Sequence, residues 1–199
     1  MSSVPALSEE DAARARFYGL LARLFYAPPD AQLLAALAAE KQLDVEHESG
    51  RAFAQAWREL CAAAAATDAL AASEEYETLF AGTGRAPVSL YAGAYLNESA
   101  ADNVLVVLRD YLAARGLARK VQVNEPEDHF AALCEVMRHL IAEQRAPLAE
   151  QRIFYLRFLW PAARELCEAI RVVERAHLYK QIAMFARNYL EIELEAFQT

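Results

Sequence analysis

Apolar residues recur three and four positions apart through almost the whole chain, and this spacing restricts the fold more than any other feature. Phe17, Leu20, Leu21, Leu24 and Phe25 would share one face of a helix, as would Ile182, Phe185, Tyr189 and Leu190 near the other end. Alternating β-branched runs are nearly absent, whereas segments rich in alanine, the best helix former, recur. The pattern predicts an all-α chain. Its 199 residues, 56% of them hydrophobic, suffice for one substantial core. No internal repeat or low-complexity linker divides the chain, so residues 1–199 are expected to form a single compact helical domain.

Local signals set the expected boundaries. Ser8 with Asp11 is a capping-box variant preceded by Leu7, and the first helix should end before Pro28-Pro29. Asp30 can cap a second helix bearing Leu33, Leu34 and Leu37, and a polar connection from Asp44 to Gly50 leads to a third with Phe53, Trp57 and Leu60. Thr67 or Asp68 should cap a fourth carrying Leu70, Tyr76, Leu79 and Phe80. Gly82, Gly84 and Pro87 then predict a loop over Ala81 to Tyr95. A helix through Leu105, Leu108, Tyr111 and Leu112 should close on Gly116, and a second loop, Leu117 to Glu125, should lead into Pro126 in the first turn of the next helix. That helix displays Leu133, Val136, Met137, Leu140 and Ile141. Further helices are expected to open near Pro147 and Pro161, and the last from about Leu178.

Charge and motif content exclude several functions. A net charge of −8 offers no basic face, so no nucleic-acid partner is expected. The N-terminus lacks a basic start with an apolar run, and no stretch reaches 18 uncharged apolar residues. A cytoplasmic protein without stable membrane insertion follows as the expectation. Cys61, Cys134 and Cys167 sit at apolar helical positions and are read as buried, reduced thiols. Gly82-Thr83-Gly84 lacks the spacer and the Gly-Lys-Ser/Thr ending of a phosphate loop. Glu125, Asp128, His129, Glu135 and His139 form a polar cluster from which a metal site can in principle be built. The two histidines are ten positions apart, however, about 15 Å along a helix, and Glu127 and Asp128 also suit a helix N-terminus as charges opposite its dipole. Tyr91 and Tyr95 are either exposed aromatic anchors or a core edge. The residues themselves point to no catalytic group, metal or cofactor. A metal-dependent hydrolase built on Asp128 and His129, or a helical interaction scaffold, stands as an alternative.

Two segments carry a resemblance. EEYETLFAGTGRAPVSLYAGAYL is similar to a pattern in which Glu-x-Tyr-x-x-Leu-Phe runs into a glycine-rich loop and an aromatic turn, and EPEDHFAALCEVMRHL resembles the Glu-Pro-x-Asp-His segment of the TorD/DmsD/NarJ family of molybdoenzyme-specific chaperones. FLWPAARELCEAI and LYKQIAMFARNYL resemble the C-terminal helices of that family. The resemblance implies a TorD-like all-α fold and a chaperone that binds the twin-arginine leader of a molybdoenzyme catalytic subunit while its cofactor is inserted, before export. Asp128 and His129 would belong to its hallmark motif, and Tyr91 and Tyr95 to its aromatic turn, so that Tyr91, Tyr95, Glu125, Asp128 and His129 are the expected peptide-binding residues. Family members include dimers, which makes a homodimer an expectation, and some bind guanine nucleotide weakly. The turn departs from the pattern at Gly93, where the family usually has serine.

Overall fold

In a computed structural model, residues 7–40, 43, 48–81, 86–96, 103–118 and 125–198 are described. Helix α1 (Glu9–Tyr26) begins on Ser8, whose Oγ accepts the Asp11 amide at 3.0 Å, and it stops ahead of Pro28-Pro29. Helix α2 (Ala31–Ala38) is capped by Asp30, and α4 (Ala69–Tyr76) by Asp68 rather than Thr67. Between them α3 runs over Glu48–Ala66, so Gly50 lies inside its first turn instead of in the connection, a place where glycine costs at most about 1 kcal/mol. The remainder of that connection, 44–47, lies outside the described residues.

Helix α4 continues into a π-helical turn, Glu77–Ala81. Its Leu70, expected on the apolar face, is 70% exposed, because only Ala72 and Tyr76 of this helix are buried. The glycines of the phosphate-loop comparison, Gly82 and Gly84, fall outside the described residues. The predicted loop does contain one helical turn, α5 (Gly93–Leu96). Helix α6 (Val104–Ala113) closes as its sequence predicts: Gly116 has φ 69° and the Leu117 amide reaches back to the Leu112 carbonyl at 3.0 Å.

Two proline-based boundaries differ from expectation. Pro126 is not in a helix: its carbonyl accepts the His129 amide in a turn, and α7 (Phe130–Ala142) starts with His129 as its N-cap. Pro161 opens no new helix, since α8 (Leu148–Phe154) passes through a second π turn, Tyr155–Leu159, directly into α9 (Trp160–Arg171). A widened turn just before the proline removes the tight fit between its ring and the preceding carbonyls, so the helical run survives. Helix α10 (Leu178–Ala196) follows.

The core forms where α1 lies along α7 and α10 packs against α3 and α9. Phe17, Phe53, Trp57, Phe185 and Tyr189 make an aromatic cluster with centroid separations of 5.2–6.0 Å. Cys134 and Cys167 are buried as expected, but Cys61 is only half-buried at the core edge. A buried polar network ties the ends together. Arg14 donates to both Glu193 oxygens at 2.8 and 2.9 Å and to Gln151 at 2.9 Å, and the Tyr18 hydroxyl donates to Glu193 at 2.9 Å. Leaving any one of these groups alone in the interior would cost several kcal/mol, on the order of 3–5 for a broken buried pair.

Candidate functional site

The segment expected to be a loop and the segment before α7 are joined by a short antiparallel bridge. The Phe130 amide donates to the Leu90 carbonyl and the Ala92 amide to the Asp128 carbonyl, both at 2.8 Å. Asp128 adds a third link, accepting the Gly93 amide on its carboxylate at 3.1 Å. This corrects the view of Asp128 as a helix N-terminal charge. It precedes the N-cap, is 6% exposed, and spends its carboxylate on the other segment. Glycine at position 93 thus serves through its backbone.

His129 is the N-cap of α7, its Nδ1 accepting the Ala131 amide at 3.2 Å, which leaves Nε2 to carry the proton of the neutral ring. Burial holds its pKa below the ordinary value, against the pull of Glu125 and Asp128. The ring lies edge-on between two tyrosines, with centroids 5.3 Å from Tyr91 and 6.3 Å from Tyr26. The Tyr91 hydroxyl donates to Glu125. Burial first, then that hydrogen bond, push the hydroxyl up to about 12, so it remains a donor at neutral pH.

Beside this cluster a cleft of about 710 Å³ opens between α1, the end of α6 and α7. Gly19, Ala22 and Tyr26 of α1 face Ala131, Ala132 and Val136 of α7 across it, with Leu112 and Leu117 closing one side. Small residues make the gap. A side chain at Gly19 would start 3.3 Å from Arg138 Cδ, so at this point the Arg138 stem lies close over α1. Glu125, Glu127 and Glu135 contribute acidic groups to the walls, together with His129, His139, Arg23 and Arg138.

Of the candidate residues, Glu125 and His129 line this cleft, while Tyr91 stands beside it, bonded to Glu125 and 37% exposed. Asp128 supports the bridge behind them. Tyr95 is not in the cleft: its hydroxyl donates to the Ser89 carbonyl at 2.7 Å, its ring packs on the core, and burial pushes its pKa up to about 12. Glu135 and His139 are brought to the same cleft, yet among the described residues no three His, Cys, Asp or Glu side chains come together as a metal would need. Sequence reasoning missed Tyr26 and the site role of Glu127. The only trace of Tyr26 is a tyrosine beside buried Phe25 at the last position before the double proline, 53% exposed.

A family model for the nitrate reductase delta subunit matches residues 46–186, nearly three-quarters of the chain. The chain belongs to that family. The nitrate reductase delta family consists of chaperones for molybdoenzyme maturation, acting with nitrate reductase-type molybdoenzyme subunits, and it includes the NarJ and TorD types. The two motif-bearing segments of the resemblance lie inside the matched span, as do Tyr91, Glu125, Asp128 and His129, while LYKQIAMFARNYL runs past its end. The α1 wall of the cleft lies before it. No curated protein matches the chain. Among the described residues no helix is long and apolar enough to cross a membrane.

Proposed function

We propose that this family member is a cytoplasmic chaperone that binds the twin-arginine leader of a molybdoenzyme catalytic subunit in the cleft between α1, α6 and α7, and holds the apoprotein while its cofactor is inserted. The observation that carries the reading is the composition of the cleft: an apolar floor of small and aliphatic residues, aromatic rings at one end, and three glutamates in its walls. A twin-arginine leader presents the complementary chemistry, two guanidiniums followed by an apolar run. Carboxylates take guanidiniums through charge-assisted, often bidentate hydrogen bonds, and the apolar floor takes the run that follows. The net charge of −8 speeds the encounter with a basic segment.

Tyr26 and Tyr91 supply the exposed aromatic surface at the mouth, and Glu125, fixed by the Tyr91 hydroxyl, presents a carboxylate beside them. Aromatic anchors commonly account for about 2 kcal/mol when truncated, roughly thirtyfold in affinity. Tyr26→Ala and Tyr91→Ala are each expected to weaken a fluorescein-labelled twin-arginine leader peptide by that order. Both side chains are substantially exposed, so urea melts of the two variants should stay close to the parent. Unchanged affinity in both folded variants would remove the leader from this cleft.

A further inference from the structure

The three glutamates in the walls of the cleft are not equally open to an incoming cation. Glu135 already accepts from Arg138 Nε at 2.8 Å, and Glu127 from Arg109 Nε at 2.9 Å. Asp128, behind them, is bonded to the Gly93 amide. Among the described residues Glu125 pairs with no cation: its Oε2 accepts the Tyr91 hydroxyl, a neutral donor. A carboxylate has about four lone-pair sites on its two oxygens, so this bond leaves room for the two parallel N–H groups of a guanidinium. At Glu127 or Glu135 an arriving arginine must break one ion pair to form another, with no net gain. At Glu125 it adds an ion pair to a hydrogen bond that stays. The exposed rings of Tyr26 and Tyr91 stand on either side of His129 beside it, and aromatic faces suit a planar guanidinium.

We propose that the cleft has one seat for a guanidinium, on Glu125, so that it recognises a single arginine of the leader's pair and leaves the other in water. This rests on the leader-binding reading above. Neighbouring residues of a peptide cannot share the seat, because successive side chains point to opposite faces of an extended chain and lie about 100° apart around a helix. The order of groups along the cleft gives the second arginine no seat of its own. Phe25 meets Phe130 at 4.9 Å, Tyr26 lies beside His129, and Gly19 faces Arg138, so α1 and α7 run antiparallel. Glu125 and His129 therefore mark one end of the cleft, Ala131, Ala132 and Val136 line its middle, and His139 lies at the other end, about 15 Å along the helix. Inward from the seat a second guanidinium would meet the alanines that suit the apolar run. Outward it leaves the cleft.

The test titrates the full chain with four labelled peptides that share an apolar run of about ten residues, the length of a signal peptide's apolar region. The preceding pair is Arg-Arg, Arg-Gln, Gln-Arg or Gln-Gln. The better of the two single-arginine peptides should bind within about threefold of the Arg-Arg peptide, and the Gln-Gln peptide at least about tenfold more weakly, as for lost hydrogen bonds to a charged group. In Glu125→Gln, whose amide oxygen can still accept the Tyr91 hydroxyl, the gap between Arg-Arg and Gln-Gln should shrink to about threefold or less, and Glu125→Asp should recover part of it. The peptide series on the parent decides the number of seats even if a variant folds poorly. If both single-arginine peptides fall more than about threefold below Arg-Arg, two arginines are read and the single seat is overturned, while leader binding stands. A gap undiminished in folded Glu125→Gln likewise removes the seat from Glu125. If the parent does not distinguish Arg-Arg from Gln-Gln, the leader-binding reading itself falls, and the seat with it.

Discussion

Asp128 separates two ideas of what a carboxylate in this motif is for. Its carboxylate accepts the Gly93 amide at 3.1 Å while its carbonyl accepts the Ala92 amide, and with 6% exposure it offers a ligand almost no surface. It is therefore a positioning residue that holds the Tyr91 segment against the start of α7. Asp128→Ala removes the acceptor and strands the Gly93 amide. A lost hydrogen bond to a charged group costs about 1.5–3 kcal/mol, and in a chain of this size each kcal/mol lowers the melting temperature by about 2–4 °C, so a fall of roughly 3–12 °C is expected. Asp128→Asn keeps an oxygen at the same place and should melt within about 4 °C of the parent, with leader affinity changed less than about fivefold, since a bond to a neutral acceptor differs by only about 1 kcal/mol. Calorimetry and peptide titration on both variants decide the matter. If Asn weakens the leader as severely as Ala while melting like the parent, the negative charge meets the peptide directly and the positioning argument is refuted.

Glu75 caps a helix a hundred residues away, accepting the His177, Leu178 and Tyr179 amides at 2.7–3.0 Å, so Glu75→Ala should cost about 1–2 kcal/mol in urea melts, as loss of a strong N-cap does, and Glu75→Gln less. His129 has a lowered pKa in the folded chain, so the native state binds fewer protons than the unfolded one, and stability present above the ordinary value of 6.5 should be lost as the pH falls below it. His129→Asn, which can still cap α7, should flatten the stability profile between about pH 7 and pH 5; an unchanged slope would assign it to other groups.

What was legible in the sequence is what short stretches decide. Ser8, Asp30 and Asp68 cap the helices they precede, and Gly116 ends α6, because a cap and its amide lie within three residues of each other. The helical class and the gathering of Glu125 and His129 in one place were legible for the same reason. Pro161 misled because a proline reads as a boundary, while the π turn ahead of it depends on how the long run packs against its neighbours. Asp128 misled because its partner, Gly93, is 35 positions away. Tyr26 and Glu127 became visible only once α1 lay along α7 and α6 closed the side, since Tyr26 sits in no motif and Glu127 holds the variable position of the Glu-Pro-x-Asp-His segment.

The Arg14–Glu193 bond joins residues 179 positions apart, and around it Phe17 and Tyr18 of α1 complete their packing only when Tyr189 of α10 arrives. A ribosome making about 5–20 residues per second needs on the order of ten to forty seconds to travel that distance. Throughout that interval Phe17, Tyr18 and the Arg14 guanidinium, which has only Asp11 beside it on its own helix until Gln151 is made, lack their native neighbours from the last helix. A molecule built to shelter the unfinished state of another polypeptide thus passes through a sheltering requirement of its own, and the cleft acquires its α1 wall in final form only when the last helix has been delivered.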